Sequence, residues 1–231
     1  MEKLEILYED RQIIVVLKPQ NVPSQADETG DLDMLTMVKN HLKEEYNKDN
    51  IYCGLVHRLD RPTGGIMVFA KTSKSASRLS AEIESGDLEK KYLLVTQGKP
   101  KQSHATLVNY LKKDEKQNKV SIVPQTTYGA KKAELEYYVL ETKEDLSLIE
   151  VKLKTGRGHQ IRVQMANIKC PIFGDQKYGG KNMPKANLNL FAYELKLIHP
   201  TTKENLMFRC YPPETLDAWK NFNLAKYINL V

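Results

Sequence analysis

The sequence predicts an α+β protein with a largely antiparallel sheet, on three observations. Short apolar or alternating runs of strand length recur along the chain, only a few segments carry helical periodicity, and the two do not alternate as the βαβ units of a doubly wound sheet would. At 231 residues, 41% hydrophobic and without a biased tract, the chain is long enough to bury a core as one domain or two fused lobes.

In order, Leu4 to Tyr8 and Ile13 to Leu17 read as strands around the polar turn Glu9-Asp10-Arg11, with Lys18-Pro19 stopping the second. From Leu32 to Tyr46, the residues Leu35, Val38, Leu42 and Tyr46 share one helical face. Ile66 to Ala70 is an apolar strand. Ser73 is placed to cap a helix lined by Ala76, Leu79 and Ile83 and ended by Gly86. Lys91 to Gln97 is a strand, and Lys132 to Glu141 and Leu148 to Leu153 alternate as half-buried antiparallel strands do. The mixed-charge run from Lys112 to Lys119 reads as a solvated hairpin loop. A short helix starts near Gly158, a strand runs from about Leu188 to Ile198, and a final helix follows Pro212-Pro213.

Composition narrows the function classes. The net charge of +6 permits a polyanionic partner without requiring one. No apolar run reaches membrane-spanning length, and the charged N-terminus is not a signal peptide. Three cysteines, Cys53, Cys170 and Cys210, fall at wide spacing with no CxxC pair, which fits a reducing cytoplasm and argues against a metal site or a thiol nucleophile.

Three segments have residues suited to chemistry. In HRLDRPTGG, His57 to Gly65, Asp60 lies between Arg58 and Arg61 in backbone shaped by Pro62 and two glycines. Cations this close favour the ionised carboxylate, which suits a nucleophile or proton acceptor and not a general acid. An isolated aspartate in such a place is more often a surface turn residue; the unusual backbone around this one shifts the balance. In LKTGRGHQIRVQMA, Leu153 to Ala166, a strand gives way to a helix at a Gly-rich turn, so backbone N–H groups and Arg157 converge where a phosphate would fit. There His159 and Arg162 share one helical face, while Ile161 and Met165 share another that can meet the core. In KKYLLVTQG, Lys90 to Gly98, Tyr92 is an aromatic ring beside two lysines, as stacking on an unpaired base requires, although a tyrosine heading an apolar strand is more often a core residue.

Together and in this order, these segments resemble the RluA-type pseudouridine synthases. The likeness extends from LKPQNVPSQ (Leu17 to Gln25) and GLVHRLDRPTGGIMVFAKT (Gly54 to Thr72) to the segment containing TGRGHQIR and PIFGDQKYGG (Leu153 to Gly180) and LKLIHPTTKE (Leu195 to Glu204). The resemblance implies a single catalytic domain over 1–231, with a mixed, mainly antiparallel sheet in two subdomains flanking a central active-site cleft. It implies isomerisation of uridine to pseudouridine in rRNA or tRNA, by a cytoplasmic monomer needing neither metal nor organic cofactor. By position, Asp60 matches the family's essential aspartate, Tyr92 its active-site tyrosine, Arg162 the arginine that pairs with the aspartate, and Arg58 a basic neighbour that holds the flipped-out nucleotide. Arg61, Arg157, His159 and Gln160 complete the expected RNA-binding set. Asp60 would add to the sugar or base, or take a proton as a glycal forms. The uridine would be flipped out at a cost of about a few kcal/mol, offset by phosphate contacts and stacking.

The chain departs from the family pattern at Asn21 and Lys203, where Gly is usual, at Gln25, Gln164 and Phe191, where His is usual, and at Gly64, where Ser is usual. Asn is the next-best residue after Gly for a left-handed turn. The S4-type RNA-binding domain of several relatives is not expected, because the match begins almost at Met1. Two other classes would fit parts of the sequence: a non-catalytic RNA-binding module on the same fold, and an α+β hydrolase using Asp60.

Overall fold

The computed structural model describes residues 4–213 and 217–230. Its elements in chain order are β1 (Glu5–Glu9), β2 (Ile13–Lys18), α1 (Met34–Tyr46), β3 (Gly54–Leu55), β4 (Gly64–Ala70), α2 (Ser73–Ser85), β5 (Glu89–Gln97), β6 (His104–Asp114), β7 (Lys119–Val123), β8 (Lys131–Lys143), β9 (Leu146–Leu153), α3 (Gln160–Asn167), β10 (Leu190–Ile198) and β11 (Asn205–Arg209). The α+β class and the antiparallel pairing follow the expectation. The chain divides into two compact units, residues 1–90 with 192–210 and residues 91–191 with 211–231.

In the first unit the strand order is β1-β2-β4-β10, with β3 on β4 and β11 on β10. The β1–β2, β2–β4, β3–β4 and β10–β11 pairs are antiparallel. Ile13, Ile14, Val15 and Val16 are all buried, so β2 is covered on both faces, which explains its unbroken apolar run. One face joins Ile13, Val15, Ile66, Val68, Leu195 and Leu197 to Leu79 of α2 in a single core. Gly65, with φ 130°, lies against the backbone of Ala192 so closely that a Cβ would overlap it, and only glycine fits there.

The second unit is an antiparallel sheet in the order β5-β9-β8-β6-β7, with α3 after β9. Along β5, the segment 171–173 is held by bonds from Gln97 N–H to the Pro171 carbonyl (2.9 Å) and from Phe173 N–H to the Val95 carbonyl (2.8 Å).

Several elements differ from the sequence reading. The Asp33 carboxylate, accepting from Thr36 N–H, starts α1 at Met34, so Met34, Val38 and Leu42 make its buried face, while Tyr46 is exposed. Thr72, not Ser73, caps α2. The run from Lys112 to Lys119 is not wholly loop: Lys112–Asp114 belong to β6 and Lys119 to β7, and only residues 115–118 turn, with Asn118 at φ 44°. Charged residues continue the ladder there because its outer faces meet water and need no apolar pattern. β11 was not expected either, being a five-residue strand without clear alternation. The helix expected after Pro212-Pro213 falls partly on residues 214–216, outside the described residues; beyond them the chain forms 3₁₀ turns at Trp219–Asn221 and Leu224–Lys226.

Candidate active site

Asp60 stands at the start of a tight turn in the first unit, closed by a bond from Thr63 N–H to the Asp60 carbonyl at 2.9 Å. The LKPQNVPS segment holds this turn from several sides. The Lys18 ammonium donates to the carbonyls of Pro19 (2.9 Å), Arg61 (3.0 Å) and Thr63 (2.8 Å). Gln20 Nε2 donates to the Pro62 carbonyl at 3.2 Å, and Ser24 Oγ clamps Leu59 by donating to its carbonyl (2.8 Å) and accepting its N–H (3.1 Å). Asn21 N–H donates to the Arg61 carbonyl at 2.9 Å, and Asn21 itself adopts φ 66°. The left-handed turn is therefore retained with Asn in place of the usual Gly.

Lys18 lies within electrostatic reach of both Asp60 and Arg61. Lys18 is fully buried, and burial pushes its ammonium down to about 7, with Asp60 drawing it back up and Arg61 adding to the fall. The three carbonyl acceptors, one for each ammonium hydrogen, favour the cation. Arg58, two residues before Asp60, is exposed. Arg61 is turned to the loop over residues 21–31: it forms an ion pair with Asp31 and donates to Thr29 Oγ1 at 2.9 Å and to the Asn21 carbonyl at 3.1 Å. His57 lies at the other end of the motif, where its Nε2 accepts Val68 N–H at 3.1 Å. Burial, helped by Lys90, holds its ring well below the usual histidine range, so it is neutral near pH 7.

The second unit carries the remaining expected residues. Tyr92 is buried on β5 opposite Val151 of β9. Past β9 the TGRGH turn is stapled by Gln160, whose Oε1 accepts from Thr155 Oγ1 (2.8 Å) and Arg157 N–H (3.0 Å) while its Nε2 donates to the Glu134 carbonyl (3.1 Å). Arg157 is exposed, its Nε donating to the Lys132 carbonyl at 3.0 Å. His159 opens α3 at φ 53°. Helix α3 does not divide into a core face and an open face: Ile161, Arg162, Val163, Gln164 and Met165 are all buried. Arg162 tolerates burial because Asp175 accepts from its Nε and Nη2, both at 2.8 Å, a bidentate pair that compensates the charge.

Sequence reasoning placed Arg58, Asp60 and Arg61 in one short segment and Arg157, His159, Gln160 and Arg162 at one strand-to-helix junction; in the structure Asp60 and Arg61 form the turn, with Arg58 just before it. It missed Lys18, Ser24, Asp175 and Tyr178. Lys18 ends an apolar strand, where a lysine ordinarily turns to water. Asp175 and Tyr178 lie in PIFGDQKYGG, and an acid and an aromatic around a Gly-rich turn were the available clue. Burial pushes the Cys53 and Cys210 thiols up to about 12, which keeps both protonated. Among the described residues, no helix is long and apolar enough to cross a membrane.

Residues 12–167 match the family model described as RNA pseudouridylate synthase. The chain is 34% identical over 230 residues to an uncharacterized RNA pseudouridine synthase of Aquifex aeolicus, covering 93% of this chain and 71% of that protein. It is 32% identical over 251 residues to the ribosomal large subunit pseudouridine synthase D of Haemophilus influenzae, covering 96% and 71%. Among solved structures, human RNA pseudouridylate synthase domain containing 4 superposes with a TM-score of 0.77 at 25% identity, over 91% of this chain and 89% of that one. With a family model spanning most of the chain and relatives matching nearly all of it, the protein belongs to the RNA pseudouridylate synthases, isomerases that convert uridine in RNA to pseudouridine.

Proposed function

We propose that Asp60 is the catalytic carboxylate, acting on a uridine flipped out of its RNA. The observation that carries this is the support of its turn: a buried ammonium, a serine clamp and a left-handed asparagine all bind the backbone on either side of Asp60. That many long-range bonds to one short segment suit a carboxylate that must keep its position while its substrate rearranges. In the isomerisation the N-glycosidic bond breaks, the uracil turns, C5 joins ribose C1′, and the proton lost from C5 is balanced by one taken up at N1. Asp60 supplies the anion, adding to ribose or base or accepting a proton as a glycal forms. Tyr92 stacks on the detached uracil and assists proton removal from C5, and Arg162 supplies a cation to the reaction.

Arg58, Arg157 and His159 then bind phosphate or the flipped nucleotide directly. Arg61 and Gln160 act through the loops they hold. We take ribosomal RNA of the large subunit as the substrate class, because two of the relatives carry that assignment in their names, and a cytoplasmic location goes with that reading. The test is tritium release from cellular RNA labelled at uridine C5 and isolated from cells lacking this protein. Wild type should release tritium and Asp60→Ala should not; equal release from both would remove Asp60 from the mechanism. Sequencing for pseudouridine in the same RNA locates the position, and a site in tRNA would overturn the ribosomal assignment.

A further inference from the structure

The turn at residues 174–179 joins Arg162 to two other parts of the second unit. Asp175 is buried, and besides Arg162 its Oδ1 accepts the N–H groups of Lys177 (3.0 Å) and Tyr178 (3.1 Å), so the carboxylate that holds the guanidinium also shapes the turn. That turn brings the Tyr178 ring to 5.1 Å from Arg162 Cζ, a cation–π distance. The Tyr178 hydroxyl lies 2.7 Å from His159 Nδ1 and accepts Val120 N–H of β7 at 2.9 Å. Next to it, Lys177 Nζ donates to the Asn118 carbonyl in the β6–β7 turn at 2.7 Å. One tyrosine thus touches the guanidinium, the residue that opens α3 and the lysine-bearing β6–β7 hairpin. Asp175 takes the Nε–Nη2 edge of Arg162, so the plane of the fork is set by the carboxylate and the ring together.

We propose that Tyr178 is a positioning residue for the isomerase: its ring fixes the orientation of Arg162, and its hydroxyl ties the start of α3 to the hairpin. The proposal rests on the role given to Arg162 above. A purely structural part is the competing account, since Tyr178 also packs against the cluster of Leu111, Val120, Ala133 and Val163. The two accounts differ in what they move. Lost packing lowers stability and leaves the folded protein's rate alone; lost positioning lowers the rate with RNA binding retained.

The experiment compares wild type, Tyr178→Phe, Tyr178→Leu and Arg162→Ala in single-turnover tritium release with enzyme in excess over 5-tritiated RNA. Affinity for the same RNA and thermal unfolding are measured alongside. Tyr178→Phe keeps the ring and should slow the reaction by about threefold, and Tyr178→Leu by about tenfold or more, each with affinity within about twofold of wild type. A folded Tyr178→Leu at the wild-type rate overturns the proposal, as does weakened RNA binding at an unchanged rate. If Tyr178→Leu does not fold, Tyr178→Phe decides, and a wild-type rate for it overturns the proposal. Arg162→Ala separates the two failures: if it too turns over at the wild-type rate, the role of Arg162 is what is wrong, whereas an impaired Arg162→Ala beside unimpaired Tyr178 variants rejects only the positioning role.

Discussion

At the scale of single residues, Lys18 is the side chain whose removal reports most directly on the Asp60 turn. Its carbonyl partners lie on both sides of Pro62 and in the strand end beneath, so no other donor can replace it without moving backbone. Lys18→Met keeps the length and apolar stem but removes this donor from the Pro19 and Thr63 carbonyls, while the Arg61 carbonyl keeps the Asn21 N–H. Buried acceptors left unpaired cost about 1–3 kcal/mol each, offset here by relief of a buried charge, so a net loss of about 2–4 kcal/mol in urea unfolding is expected. Tritium release by the folded variant should fall as well, because the turn that carries Asp60 is no longer pinned. A variant as stable and active as wild type would show that Ser24, Gln20 and Asn21 hold the turn alone. The two positions where glycine is usual in the family tell a related story: Asn21 and Lys203 have φ of 66° and 67°, so the left-handed geometry persists while the side chain changes. Asparagine tolerates it, whereas Lys203 bears the Cβ clash of the left-handed conformation without a short polar group to offset it, at a turn closed by bonds between His199 and Glu204 and between Lys203 and His199.

At the scale of elements, the β1–β2 turn gives a prediction with a definite sign. Asp10 Oδ1 accepts the N–H groups of Gln12 and Ile13, both at 2.8 Å, and Oδ2 lies 2.9 Å from His199 Nε2. Burial acts to raise its affinity for a proton, but the Ile13 and Gln12 donors and His199 together outweigh it and hold the carboxyl below the usual range. A carboxyl depressed in the folded state contributes stability that is present above its unfolded value of about 3.9 and is lost as pH falls through the folded value. Asp10→Asn should therefore cost about 1 kcal/mol at pH 7 and flatten the acid limb of the stability curve below about pH 4. Parallel acid limbs for the two proteins would show that the turn does not titrate. The same scale explains which elements could be read from sequence. Strands β2 and β4 announce themselves because burial on both faces demands unbroken apolar runs. Strands β6, β7 and β11 do not, because half-exposed ladders accept Lys, Asn and Asp freely and the pattern that marks a strand thins out. Helix α3 reads as amphipathic from Ile161 and Met165, yet Arg162 is buried too, and that depends on Asp175, which lies thirteen positions further along the chain.

At the scale of the whole molecule, the site residues were legible wherever chemistry and backbone share a short segment, as in HRLDRPTGG and TGRGHQIR. Residues that act across the sequence were not: Lys18 reaches its turn over 43 positions and Ser24 over 35. The net charge of +6 can now be divided by what each cation does. Lys18 and Arg162 are buried against acceptors inside their own units, and Arg61 is paired with the acidic loop at Asp27 and Asp31, so these contribute little to long-range attraction of RNA. Arg58 and Arg157 are the exposed arginines of the candidate site and should carry the direct phosphate contacts. Each phosphate contact contributes roughly 0.7 to 0.9 to the slope of log affinity against log salt, by release of condensed counterions. Replacing both arginines with alanine should therefore weaken RNA binding and make that slope shallower by roughly 1.4 to 1.8, whereas Arg61→Ala should leave it nearly unchanged. Titration of the 5-tritiated RNA at salt concentrations from about 50 to 200 mM measures both. An Arg61→Ala slope shallower by roughly 0.7 to 0.9 would mean that the acidic loop releases Arg61 to phosphate when RNA arrives.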